Sequence, residues 1–191
     1  MLIKVTKMAC IDIVLSRRNI RSYTRQAISS SSITQILEAG RQAPSAGNRQ
    51  PWHFIVVTDE EKKKALSQGR YNWFIQNAPL TIIGCTESDI SRWSVIDTAI
   101  ALQNMVIAAW TLGIGSCWLG AFDEVEVRTL FQIPKQWKIV AFLTLGYPSE
   151  GENRFPGNFE KLQHRLVRKK PIDEITSYNT FMRRRVIASE E

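Results

Sequence analysis

One segment constrains this chain more than any other. Ser94–Leu112 reads SVIDTAIALQNMVIAAWTL, and its apolar residues, among them Ile96, Ile100, Leu102, Met105, Ile107 and Trp110, fall on nearly every face of a helix. Such a helix has to be covered all round, inside a large core or between subunits. The chain has 191 residues, enough for one domain with a sizeable core. For a chain of that size, a subunit interface is a serious candidate for part of the cover. Gly113 ends the helix.

Other elements alternate around it. Ser32 with Gln35 fits a capping box, and Ile33, Ile36, Leu37 and Gly40 follow at helical spacing. Trp52–Val57 reads as a buried strand, and Thr58 with Glu61 caps a charged helix. Leu80–Cys85 (LTIIGC) and Ser116–Leu119 (SCWL) are further strands. Asp123 with Glu126 opens a helix that stops before Pro134. Ile139–Leu145 is the clearest strand, closed by Gly146 and Pro148. Ile172–Met182 reads as one helical piece within a polar, basic tail. The alternation predicts a layered α+β or α/β domain over 1–191, with an N-terminal extension of about ten residues. Recognisable structure begins near Ile11, so Met8 is a second candidate for the first residue.

The pattern argues against several function classes. No apolar run is long enough to span a bilayer, and the start lacks the apolar core of a secretory signal, which suggests a cytoplasmic protein. Cys10, Cys85 and Cys117 form neither a disulfide framework nor a metal motif, and Cys85 and Cys117 read as small buried residues. The net charge of +7 favours anionic partners. The basic runs, including Arg183–Arg185, carry no interleaved aromatics and no nucleic-acid-binding motif, so nucleic acid is not expected. The turn holding Gly113, Gly115 and Gly120 follows a helix and opens a strand, the reverse of a dinucleotide fingerprint, and no phosphate-loop lysine follows it. His53 and His164 lack a nucleophile motif around them. With no side-chain constellation for catalysis, an enzyme built on this chain would rely on a cofactor.

Two segments are chemically specific. Ser16–Tyr23 (SRRNIRSY) places Arg17, Arg18, Asn19 and Arg21 near the end of an N-terminal helix, where guanidinium forks suit a phosphate. Ala43–Phe54 (APSAGNRQPWHF) is a loop entering a strand. It presents Pro44, Ser45, Asn48 and Gln50, whose hydroxyl and amides suit the polar edge of a heterocycle. The two together resemble the nitroreductase family, whose members carry similar segments. The resemblance continues through Asp97–Phe122, Leu143–Glu150 and Arg168–Asn179 and so covers nearly the whole chain.

The resemblance implies a mixed, mainly antiparallel sheet flanked by helices. It also implies an intertwined homodimer, with residues from about 150 to 191 wrapping the partner and two FMN sites at the interface. By that likeness Arg17, Arg18, Asn19 and Arg21 hold the phosphate and the adjoining edge, and Arg168 and Lys170 complete the phosphate site. Pro44, Ser45, Asn48 and Gln50 line the flavin, some from the opposite subunit, while Trp118, Leu119 and Gly120 pack along the ring. The implied reaction is ping-pong hydride transfer from NADH or NADPH through flavin N5 to an acceptor such as a nitroaromatic or quinone. No side chain is then expected as catalytic acid or base, and no metal is expected. A non-catalytic FMN carrier and a specialised dehalogenase-like flavin enzyme are the alternatives. Two departures stand out. Some relatives have an acidic residue at Gly120, and an Asn and a Lys around Tyr71–Phe74 that contact the ring; here Asn72 is the polar residue inside that stretch, and no lysine accompanies it.

Overall fold

The structure, a computed structural model, describes residues 10–68, 71–149 and 169–181. The chain divides into two units, Met1–Asn153 and Arg154–Glu191. In the first, the order is α1 (Cys10–Ser16), α2 (Ser30–Arg41), β1 (Trp52–Val57), α3 (Glu60–Leu66), β2 (Leu80–Glu87), α4 (Ser94–Thr111), β3 (Gly115–Leu119), α5 (Glu124–Phe131) and β4 (Trp137–Gly146). The four strands form one antiparallel sheet in the order β1-β2-β4-β3. The parallel element is a single bridge, Asn19 to Ser116, on the outer edge of β3. This is the α+β architecture expected, with helices on both faces.

Alternation along the strands divides the core into two layers. Ile83, Cys85, Cys117, Leu119 and Phe142 face the layer built with Leu66 of α3, Phe74, Ile75 and Val127 of α5. Ile82, Ala141, Leu143 and Leu145 face the layer built with Ile36 of α2 and Leu102, Met105 and Val106 of α4. Glycines let these layers close. A Cβ on Gly84 would lie 2.7 Å from a Leu102 methyl, and one on Gly115 would lie 2.5 Å from Ile20 Cγ1. Cys85 and Cys117 are buried free thiols, as their setting in apolar strands suggested. Burial pushes the Cys85 thiol from 9.0 up to about 11.

Several boundaries differ from the sequence reading. Helix α2 is capped by Ser29, whose Oγ accepts from Ser32 N, so the helix starts two residues before the expected cap. Asp59, not Thr58, caps α3, because its carboxylate accepts from Lys62 N. Strand β1 is half exposed rather than buried, since it pairs with β2 alone at the sheet edge. In the second unit the helix α6 spans Ile172–Ile175 only; Thr176 turns extended and Asn179 adopts φ 65°, while Met182 lies outside the described residues.

Helix α4 is covered on one side only. Ala101, Leu102, Met105 and Ala109 are fully buried, whereas Trp93 just before it and Ile96 and Ile100 within it are 45%, 50% and 37% exposed. On α1, Ile11, Val14 and Leu15 are also exposed. No helix of the described residues is long and apolar enough to cross a membrane.

Candidate active site

The arginine segment is anchored to the outer edge of the sheet. Helix α1 ends at Ser16, whose Oγ accepts from Trp110 Nε1 at 3.1 Å, so the segment is tied to the last turn of α4. Ile20 N then donates to Ser116 O at 2.9 Å, and Ile20 packs over Gly115. The Tyr23 hydroxyl, buried, donates to Ile20 O and bonds Thr144 Oγ1 of β4. The backbone of residues 19–23 is thereby fixed at both ends against β3 and β4.

Within this frame the basic side chains diverge in role. Arg17 Nη1 donates to Asn19 Oδ1 at 3.0 Å, which orients both toward one side. Arg21 stands over the Phe74 ring, 5.9 Å from its centroid. Burial pushes the Cys117 thiol above its ordinary value, while Arg21 and Arg17 pull it back down; both positive charges therefore bear on β3. Arg18 turns back instead, donating to Leu15 O at 2.8 Å and capping the open carbonyls of α1.

Strand β3 leads from this arginine end to a bare patch of backbone. Trp118 faces the α4 layer and Leu119 is buried in the opposite layer, so Leu119 offers backbone rather than side chain outward. Gly120 follows, exposed, and a Cβ built on it would meet nothing within 4 Å. Unlike Gly84 and Gly115, it is not required as glycine by its neighbours in the same chain. The next residues are pinned: Asn72 Nδ2 donates to Ala121 O at 2.7 Å, and the Phe122 ring stacks on Phe142 with centroids 4.5 Å apart.

The second specific segment is a rigid loop elsewhere. Gly47, Asn48 and Gln50 all take positive φ, at 62°, 51° and 50°. Among the bonds that hold this conformation, Ser45 Oγ accepts from Gln50 N at 3.0 Å, Ser45 O accepts from Asn48 N at 2.9 Å, and the buried carboxylate of Asp97 accepts from Ala46 N at 3.1 Å. Gln50 Nε2 donates to Asn48 Oδ1 at 3.2 Å, so the two amides present one edge. Pro44, Asn48 and Gln50 are exposed.

These halves do not meet within one protomer. The loop enters β1 at one sheet edge, and the arginine segment lies on β3 at the other, three strand spacings of about 4.8 Å away. Helix α4 also keeps the two apart: Asp97 in its first turn holds the loop, and Trp110 in its last turn holds Ser16. Thirteen residues of helix separate them, roughly 20 Å. Lys170 is exposed in the second unit, and Arg168, His164 and the Arg183–Arg185 run lie outside the described residues. Sequence reasoning missed Asp97, although an acid inside so apolar a helix was a usable signal. It missed Tyr23 and Ser116 because their roles depend on long-range pairing.

Chemically, the site combines guanidinium groups, an open backbone edge and two exposed amides. The sequence model described as Nitroreductase family matches residues 14–70 and 64–147. A protein of Archaeoglobus fulgidus named "Putative NADH dehydrogenase/NAD(P)H nitroreductase" is 36% identical, over 84% of this chain and 98% of its own. The "FMN reductase [NAD(P)H]" of Bacillus subtilis is 27% identical over 84% of this chain and 74% of its own. Among solved structures, a nitroreductase family protein of Clostridium difficile 630 superposes with a TM-score of 0.76 at 28% identity, covering 91% of this chain and all of its own. The chain belongs to the nitroreductase family.

Proposed function

We propose that this protein is an NAD(P)H-dependent FMN oxidoreductase that works as a homodimer with two shared sites. The observation that carries the reading is Gly120. It is a glycine that its own protomer does not need, exposed at the end of the strand to which the arginine segment is bonded through Asn19 and Ile20. A flat ring lying on this backbone would explain the missing side chain, since a Cβ would occupy its space. The donor set of the first unit suits FMN: Arg17, Asn19 and Arg21 for the phosphate end, and Ser45, Asn48 and Gln50 for the polar edge of the ring, with Arg168 and Lys170 assigned to the phosphate by the family likeness alone. Arg18, committed to the end of α1, contributes positive potential rather than a fork.

The exposed stripe of α4 supports the dimer. A two-fold axis perpendicular to α4 near its midpoint, where Gln103 is exposed on the same open side, sets two copies of the helix antiparallel. The Asp97 end of one α4 then lies beside the Trp110 end of the other. The rigid loop of one protomer thereby reaches the arginine end of its partner, closing the gap of roughly 20 Å that one chain leaves open. Bound there, FMN would supply two-electron chemistry, taking hydride from NADH or NADPH and passing it to an acceptor such as a nitroaromatic or a quinone. The chain's own part is to bind, orient and exclude water: the arginines fix the phosphate, and the Leu119–Gly120 backbone sets the ring plane. Ser45 and the paired amides of Asn48 and Gln50 read the ring's edge. Steady-state kinetics with NADPH varied at several fixed quinone concentrations test the reading. Parallel double-reciprocal lines are expected, and intersecting lines would refute the ping-pong sequence.

A further inference from the structure

We infer that this protein selects its electron acceptors by charge, favouring aromatic molecules that carry an ammonium group over those that carry a carboxylate, and that Glu126 is the residue that sets this preference; the inference rests on the functional reading above. Its basis is a cavity of about 300 Å³ between α3 and α5, lined among others by Leu66, Gln68, Asn72, Phe122, Asp123 and Glu126. The cavity begins two residues beyond Gly120: Phe122 forms part of its wall, and Ala121 between them is held by the Asn72 amide. A ring lying on the Gly120 backbone would have this cavity beside it, with room for a small aromatic molecule.

The polar groups of the wall share one character. Asp123 and Glu126 bring carboxylates, which accept hydrogen bonds and carry negative charge. The amide donors are engaged: Gln68 Nε2 donates to Lys64 O at 3.2 Å, and Asn72 Nδ2 to Ala121 O at 2.7 Å. Asn72 is 5% exposed, and its Oδ1 is buried with no partner among the described residues. A buried acceptor left open is unfavourable until a donor meets it, and a bound molecule can bring one. No lysine or arginine lines the cavity among the described residues. Glu124 is paired with Arg128 at 2.6 Å, whereas Glu126 forms no ion pair among the described residues and is exposed. A wall of open acceptors and unpaired negative charge suits a cation with N–H donors and repels a carboxylate. The molecule as a whole argues the other way, since its net charge of +7 draws anions. A preference for cations is therefore a local property that separates this cavity from the general field.

The test uses nitroarenes that differ in one substituent held off the ring by a methylene: 4-nitrobenzylammonium, 4-nitrobenzyl alcohol and 4-nitrophenylacetate. Their kcat/KM values are measured with NADPH or NADH at neutral pH and low ionic strength, for full-length wild type, Glu126→Gln, Glu126→Lys and Glu38→Gln. Glu38 lies on α2, which packs in the other core layer, and its substitution removes the same charge. Binding without turnover is read from the fluorescence of 1-naphthylmethylammonium and 1-naphthylacetate, which lack the nitro group. Wild type is expected to prefer ammonium to alcohol and alcohol to acetate. In Glu126→Gln the ammonium-to-acetate ratio, which spans two units of charge, should fall by about three- to thirty-fold, in kcat/KM and in naphthyl affinity alike. Glu126→Lys should invert the order, and Glu38→Gln should leave it unchanged. A wild type that prefers the acetate, or a ratio that Glu126→Gln leaves at the wild-type value in either measurement, would overturn the inference while leaving the functional reading intact. A wild type that takes up no FMN and reduces none of the nitroarenes would overturn both.

Discussion

Adding one methyl group at each of two glycines separates what the fold needs from what the proposed ligand needs. At Gly115 a Cβ would lie 2.5 Å from Ile20 Cγ1 and 2.7 Å from Ile20 Cβ, the second an atom with no rotamer by which to escape. Overpacking of this kind costs about 1–3 kcal/mol. At Gly120 the same methyl meets nothing within 4 Å, and its φ lies outside the left-handed range. Alanine there restricts the unfolded chain and stabilises by about 0.4–1 kcal/mol. For a protein of this size 1 kcal/mol moves Tm by about 2–4 °C. Gly115→Ala is therefore expected to lower the apoprotein Tm by roughly 2–12 °C, and Gly120→Ala to leave it level or raise it slightly. FMN affinity runs the other way at Gly120. If a ring lies on that backbone, the methyl costs about 1–3 kcal/mol of binding, or about 5- to 150-fold in Kd. Differential scanning calorimetry of the apoproteins and FMN fluorescence titrations give both quantities. A Gly120→Ala protein that binds FMN as wild type does would refute the placement of the ring.

The other substitutions probe the anchoring of the site. Arg17→Ala removes a charge-assisted bond to phosphate, worth about 1.5–3 kcal/mol. FMN affinity is expected to fall about 10- to 150-fold while riboflavin affinity barely changes; an equal loss for both would contradict a phosphate role. Tyr23→Phe strips the Ile20 carbonyl and Thr144 hydroxyl of a buried partner, so urea denaturation should show a loss of about 1–3 kcal/mol. Unchanged stability would count against Tyr23 as the strap of the arginine segment. Cys85 gives a pH test: its folded pKa of about 11 exceeds the ordinary 9.0, so its contribution is whole below pH 9 and lost as pH rises through 11. In Cys85→Ala the fall in stability between pH 9 and 11 should be shallower by roughly 2 kcal/mol, and a profile matching wild type would refute it.

Legibility in the sequence followed the range of the interactions involved. Strand β1 began and ended where its residues indicated, and α4 stopped one residue short of Leu112, because period and glycine punctuation are local signals. Two helix caps slipped, by three residues at α2 and by one at α3, whereas Asp123 caps α5 as its residues indicated. In the run Ser29–Ser32 every hydroxyl is a plausible cap, and Ser29 prevails because its Oγ meets Ser32 N. The two specific segments were readable, yet what holds them was not. The Asn72–Ala121 and Asp97–Ala46 bonds span 49 and 51 residues, and Trp110–Ser16 spans 94. No local pattern encodes such partners. The apolar wrap of α4 announced complete burial, but periodicity cannot distinguish cover by the chain's own core from cover by a second copy. The exposed Ile96 and Ile100 show which side its own core leaves open.

The most direct test of the central claim is the visible spectrum of the purified protein after incubation with FMN and gel filtration, followed by anaerobic titration with NADPH or NADH. A protein-bound flavin band that bleaches with about one equivalent of reduced nicotinamide per site, as two-electron transfer requires, is the expected result. A protein that leaves the column without flavin, or whose bound flavin neither nicotinamide bleaches, would contradict the account.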